Sequence, residues 1–199
     1  MKQIIEKLVA KSQKPLADKW LEGLQIEYNE RHNYYRFLYH LVDIFKPAIA
    51  LEIGTWYGIG SACMCAAAKK YDGQVIGIDL NYNELAASVL PERFENYRFL
   101  RMDSREAGPL IRQLTQHRSI DLVFQDSSHH YQASCDEWEI YSPLAHGFWL
   151  CDDITPAFHD PKVDPPGKGM VEYFNELPGK KMLFSDVLHY GNTMGLVFL

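Results

Sequence analysis

Residues 47–68, PAIALEIGTWYGIGSACMCAAA, constrain the fold more than any other stretch. Ala48 to Ile53 is a short apolar run with one acid near its end, the pattern of a strand buried on both faces. Gly54 to Gly60 is a turn holding three glycines, and Ser61 to Lys70 is small, alanine-rich and helix-forming. A buried strand that breaks at glycines and enters a helix suits a nucleotide-like ligand. The glycines let backbone approach the ligand, and the helix start offers unpaired N–H groups. An ordinary strand-to-helix connection is the competing reading.

The same rhythm continues. Gln74 to Asp79, Tyr97 to Met102, Ile120 to Gln125 and Phe148 to Cys151 are apolar strands. Between them, Asn83 to Glu95 (interrupted at Pro91), Glu106 to His117 and Gln132 to Tyr141 have helical patterning. Lys181 to Phe184 and Met194 to Leu199, around the turn signal Gly191–Asn192, read as a terminal hairpin at the sheet edge. Strand–helix alternation implies parallel pairing through right-handed crossovers. The expected fold is therefore α/β, a Rossmann-like doubly wound sheet of seven strands, mostly parallel, with an antiparallel C-terminal hairpin.

Residues 1–46 read as a helical extension of the same domain, with stripes at Ile5, Leu8 and Val9, then Leu16, Trp20 and Leu24, then Tyr34, Leu38, Leu41 and Phe45 before Pro47. Packing on the sheet, capping a ligand or forming a homodimer contact are the roles open to it. Thr155 to Gly169 carries four prolines and reads as a lid or substrate wall.

The formal net charge of −6 and the absence of a basic cluster argue against a nucleic-acid partner, since phosphate neutralisation supplies most of that affinity. No apolar run approaches a membrane span. The N-terminal MKQIIEKLVAKSQK lacks a signal-peptide core, so a cytoplasmic protein is expected. Cys63, Cys65, Cys135 and Cys151 lack paired C-x-x-C spacing and read as free thiols.

Acids stand at five successive strand ends: Glu52, Asp79, Asp103, Asp126 and the pair Asp152–Asp153. One such acid would be a cap; five are hard to explain by capping. In open parallel sheets ligands bind beyond these ends. The turn Gly54-x-x-x-Gly58-x-Gly60 is neither a G-x-G-x-x-G dinucleotide fingerprint nor a P-loop. A cationic adenosyl ligand with no phosphates suits an acid-rich site.

These residues resemble the class I S-adenosylmethionine-dependent methyltransferases over about residues 47–199. Glu52-Ile-Gly54-Thr55-x-x-Gly58-x-Gly60-Ser61 is similar to the motif whose backbone meets the methionine part of the cofactor, with Trp56 and Tyr57 shaping the pocket. Asp79, with Leu80 beside it, matches the acid that holds the ribose hydroxyls, and Asp103–Ser104 matches the position beside adenine. Asp126-Ser-Ser-His129-His-Tyr131, then Asp136, then Gly147 to Asp153 resembles the branch with catechol-type, macrolide-sugar and cephalosporin-pathway O-methyltransferases. That resemblance implies a divalent metal, commonly magnesium, on Asp126, Asp152 and Asp153, and cofactor contact from Asp126 too. Ser127 and His146 stand where the branch usually has glycine, and His129 where catechol-type members have a lysine base.

The implied chemistry is metal-assisted O-methylation of a small hydroxylated acceptor. Three oxygen-rich side chains suit a hard cation, and His129, three residues past Asp126, is placed to accept the hydroxyl proton. Two other classes stay open on the residues alone: a metal-dependent hydrolase, and a non-catalytic adenosyl-binding protein. The first lacks an H-E-x-x-H or G-x-S-x-G pattern.

Overall fold

The computed structural model describes residues 2–13, 16, 21, 32–157, 159–184 and 193–199. In chain order the described elements are α1 (Lys2–Ser12), α2 (His32–Phe45), β1 (Ile49–Ile53), α3 (Ile59–Ala68), β2 (Gln74–Asp79), α4 (Leu90–Arg93), β3 (Tyr97–Arg101), α5 (Gly108–Leu114), β4 (Ile120–Gln125), α6 (Tyr131–Tyr141), β5 (Ala145–Cys151), α7 (Met170–Glu176), β6 (Lys180–Leu183) and β7 (Gly195–Phe198). They form one seven-stranded sheet in the order β3-β2-β1-β4-β5-β7-β6. The first five strands pair in parallel, and β7 runs antiparallel between β5 and β6. The strand order reverses between β1 and β4, which is where a doubly wound sheet opens a crevice.

Alternate strand residues feed two cores. On one face Ala50, Val75, Leu122, Phe124 and Leu150 pack with Leu8 of α1, Phe37, Leu38 and Leu41 of α2, and the small side chains Ala62 to Ala68 of α3. On the other, Ile49, Leu51, Ile53, Ile76, Val123 and Trp149 pack with Ile111 of α5, Tyr141 of α6, and Tyr173 and Phe174 of α7. Every residue of β1 is buried, as its apolar run requires. Alanine and cysteine along α3 bring that helix close to the sheet, with α2 laid over it.

The helical preface thus packs α1 and α2 on the sheet face that carries α3. Trp20, Leu24 and the Gly191–Asn192 turn lie outside the described residues, as does the side chain of Ile5. Pro91 interrupts the helix after β2 as its ring demands: a wide π-turn over Leu85–Val89 runs directly into α4, which holds Pro91 in its first turn. No described helix is long and apolar enough to cross a membrane.

Candidate functional site

A cleft of about 810 Å³ opens over the carboxyl ends of β1 to β4. Gly54, Trp56, Asp79, Leu80, Asp103, Ser104, Asp126 and His129 line it, so three of the six acids expected from sequence converge there, while Glu52, Asp152 and Asp153 lie outside the lining. The closeness of the β1 and β4 ends sets its floor. Gly54 has φ +86°, and a Cβ there would stand 2.0 Å from the Asp126 carbonyl oxygen. Only glycine lets that turn lie against Asp126. The Asp126 N–H in turn donates to the Ile53 carbonyl at 2.8 Å.

Asp79 organises the donor end. Its carboxylate accepts the N–H of Trp56 and that of Asn81, each at 2.8 Å. Trp56 itself has φ 42°, so the acid after β2 holds a strained turn after β1 in place. The indole and the Tyr57 ring stack with centroids 4.4 Å apart, and both are more than half exposed. Asp103 pairs with Arg105 at 2.6 Å, and those bonds hold its carboxyl below the usual range. Asp103 therefore meets the cleft as half of an ion pair.

Glu52, Thr55, Gly58, Gly60 and Ser61 stand behind the turn, outside the cleft lining. Glu52 is buried, accepts a hydrogen bond from the Ser61 hydroxyl, and is pushed well up by burial. The Tyr97 hydroxyl donates to Ser61 at 3.2 Å. Gly77, the β2 partner of Glu52, leaves room for this cluster, since a Cβ there would meet Tyr97 Oη at 2.5 Å and Thr55 Cγ2 at 2.6 Å. The cluster ties α3 to the sheet and fixes the turn from beneath.

At the other end, Asp126, His129 and Asp152 bring one ligand atom each to within 4.8 Å of one another. His129 Nε2 is 3.2 Å from Asp126 Oδ1 and 3.7 Å from Asp153 Oδ2, so Asp153 joins the group through the imidazole. Burial alone would lower the His129 pKa; the hydrogen bond and charge of Asp126, with the charge of Asp153, outweigh it, and the pKa is raised. Asp152 is driven well up by burial, then by Asp126 and Asp153. Its Oδ1 is buried without a hydrogen-bond partner among the described residues. Three clustered carboxylates, one with an orphaned oxygen, fit a divalent cation, which would neutralise the repulsion and use that oxygen.

Residues 51–154 match the family described as a methyltransferase domain. The chain belongs to that family. Its class I architecture recurs in solved structures of low sequence identity. The O-methyltransferase TomG from Streptomyces achromogenes, involved in tomaymycin synthesis and solved with S-adenosylmethionine, superposes with a TM-score of 0.66 at 16% identity, over 96% of this chain and 89% of TomG. A caffeoyl-CoA O-methyltransferase-like protein from Staphylococcus aureus gives 0.62 at 15%, over 98% and 90%. MycE of the mycinamycin pathway, solved with magnesium, S-adenosylhomocysteine and mycinamycin VI, gives 0.61 at 14%, over 96% and 54%. No curated protein sequence matches the chain.

Four residues of this methyltransferase's site escape a reading of the sequence. Tyr34, one of an apolar stripe in α2, donates its hydroxyl to Asp126 Oδ2 at 2.7 Å, and burial with the charges of Asp126 and Asp152 keeps the phenol protonated. Glu137 of α6 is a buried residue of the cleft lining, bonded to Ser104, Gln125 and Ser127. Gln125 ends β4 beneath it. Asp164, in the proline-rich loop, accepts the N–H groups of Tyr131 and Asp160, each at 2.8 Å, and lies 3.5 Å from His130 Nδ1. Asp164 thereby fastens the loop to the start of α6 and sets Val163 on the cleft wall. An acid within a proline run was the one available sign.

Proposed function

We propose that this methyltransferase moves the methyl group of S-adenosylmethionine to a hydroxyl oxygen of a small molecule, with a divalent cation, magnesium by preference, beside the acceptor. The observation that carries the reading is that Asp126 and His129 line one end of a cleft whose other end is built on Asp79, with Asp152 grouped against them from outside the lining. Asp79 suits the ribose hydroxyls, and the Gly54 turn suits the methionine part. The relatives solved with S-adenosylmethionine or S-adenosylhomocysteine support the donor, and MycE with magnesium supports the cation.

Methyl transfer needs the acceptor oxygen in line with the sulfonium methyl and relieved of its proton. Alignment supplies much of the rate. His129 takes the proton, and a proton on Nε2 is stabilised by Asp126 at 3.2 Å and Asp153 at 3.7 Å. Tyr34 holds the other oxygen of Asp126, so the carboxylate keeps one orientation while the acceptor binds. Asp126 and Asp152, with Asp153, would hold the cation, which would supply Lewis acidity at the acceptor hydroxyl and leave His129 Nε2 for the proton.

The test is transfer of labelled methyl from S-adenosylmethionine to a panel of monohydroxy and vicinal dihydroxy acceptors, with magnesium or with chelator. Transfer that needs the metal and is lost in His129→Ala, with S-adenosylhomocysteine affinity kept, is expected. Transfer to nitrogen or carbon acceptors only, or unchanged turnover in His129→Ala, would refute the proposal.

A further inference from the structure

An α-helix begins with N–H groups that have no partner within it, and the residue just before it ordinarily supplies one from its own side chain. His130, which precedes α6, makes no such bond. Asp164 supplies it from 33 positions away: its Oδ1 accepts the Tyr131 N–H and its Oδ2 the Asp160 N–H, each at 2.8 Å. The Asp164 side chain is fully buried. Burial alone would raise its carboxyl; the N–H groups of Asp160 and Tyr131, with His130 beside it, outweigh that and lower it. An ionised carboxylate suits the start of a helix.

Asp160 to Asp164 is one tight turn. The Val163 and Asp164 N–H groups donate to the Asp160 carbonyl at 3.0 and 2.7 Å, and the Lys162 N–H donates to Asp160 Oδ1 at 2.9 Å. The turn therefore moves as a unit, with Val163 on the cleft wall and Asp164 on the start of α6. Further along the loop, Lys168 pairs with Glu176 of α7 and stands 5.2 Å from the centre of the Tyr131 ring. The Tyr131 hydroxyl donates to the same Glu176. One loop thus grips Tyr131 at its backbone and at its ring.

Two residues before Tyr131 stands His129, with φ 55°. A residue with a Cβ is strained in that left-handed region and keeps it only where its surroundings fix it. On one side Nε2 is 3.2 Å from Asp126 Oδ1 and 3.7 Å from Asp153 Oδ2. On the other side is the Tyr131 N–H on Asp164. Without that second hold, His129 can relax to negative φ, which turns its imidazole away from Asp126.

We propose that Asp164 is a positioning residue: through Tyr131 it holds His129 in the geometry from which it takes the acceptor's proton, so the proline-rich loop sets the base as well as the acceptor wall. The inference rests on the role given to His129 in methyl transfer.

The experiment compares the full chain with Asp164→Ala, His129→Ala and the double variant. Three quantities are read: labelled-methyl transfer to the acceptor panel, S-adenosylhomocysteine affinity by calorimetry, and the imidazole ¹H–¹⁵N signal of His129, assigned by its loss in His129→Ala. In Asp164→Ala, kcat is expected to fall roughly tenfold to hundredfold, with affinity kept and the imidazole signal moved. In the His129→Ala background the same substitution should change kcat by less than about twofold, because both act through one imidazole. An equal loss in both backgrounds, or a lower melting temperature or higher acceptor KM with kcat unchanged, would confine Asp164 to loop stability. Either result overturns the inference and leaves the proposed function intact. Full turnover in His129→Ala, or no transfer to any acceptor, overturns the role of His129 instead; a moved imidazole signal in Asp164→Ala then still supports the placement. An unmoved signal overturns the inference in every case. Should Asp164→Ala not fold, Asp164→Asn, which keeps the shape but loses the charge and one accepting oxygen, is read by the same comparisons.

Discussion

Gly54→Ala tests the contact that joins the two halves of the site. The added Cβ would lie 2.0 Å from the Asp126 carbonyl oxygen, 2.6 Å from its carbon and 2.8 Å from Ser127 Cα. All three are backbone atoms, so no side chain can swing aside, and the ends of β1 and β4 must separate by more than an ångström. The positive φ adds about 1–2 kcal/mol of strain for a residue with a Cβ, and overpacking of this kind costs roughly 1–3 kcal/mol. For a domain of this size each 1 kcal/mol lowers the midpoint by roughly 2–4 °C, so a fall of roughly 4–20 °C is expected in thermal melts. Because Asp126 moves with the strand end, the surviving folded protein should lose turnover by about a hundredfold, the usual effect of a 1 Å misplacement. An unchanged melting midpoint with unchanged turnover would refute the close approach and the coupling built on it.

Tyr34→Phe keeps the ring and removes one hydrogen bond to a carboxylate, worth roughly 1.5–3 kcal/mol; kcat should fall at least about tenfold while S-adenosylhomocysteine affinity stays the same, and calorimetry beside the transfer assay checks both. Asp152→Asn relieves a buried carboxylate crowded by Asp126 and Asp153, so without metal the protein should melt several degrees higher, by roughly 1–2 kcal/mol, and calorimetric magnesium binding should disappear. His40 has a pKa of about 4 against an ordinary 6.5, lowered by burial and by Lys11 and Lys70, with Asp43 opposing. The unfolded chain therefore protonates first on acidification, and stability should fall from pH 6.5 to about 4 and level off below. Solvent screening reduces the effect at this half-buried ring, and denaturant titrations of His40→Gln should show a flatter profile across that window.

The architecture was legible because each element carries its own signal. β1 is apolar but for Glu52 and breaks at Gly54, and an acid follows or ends each of β2, β3, β4 and β5, so the crevice could be placed before any contact was known. The nearness of Asp126 and His129 to Asp152 and Asp153 was legible for the same reason: both groups follow the ends of neighbouring strands. What stayed hidden depends on contacts between distant positions. Tyr34 reads as one more apolar residue of α2, yet its hydroxyl meets an acid 92 positions away. Glu137 reads as a solvated helix acid, and only burial against Gln125 and Ser104 gives it a role. Glu52 matches the motif at the ligand turn, but the alternation along β1 sends its side chain under α3, to Ser61. Asp103 ends its strand as expected, and its use by Arg105 depends on local geometry that spacing does not report.

The most direct test of the account is calorimetry of S-adenosylhomocysteine and S-adenosylmethionine against the full chain, with and without magnesium. The account predicts one site per chain with a dissociation constant on the order of micromolar and a matching rise in melting temperature. Absence of both heat and thermal shift with either compound would contradict the adenosyl cleft, and with it the proposed reaction.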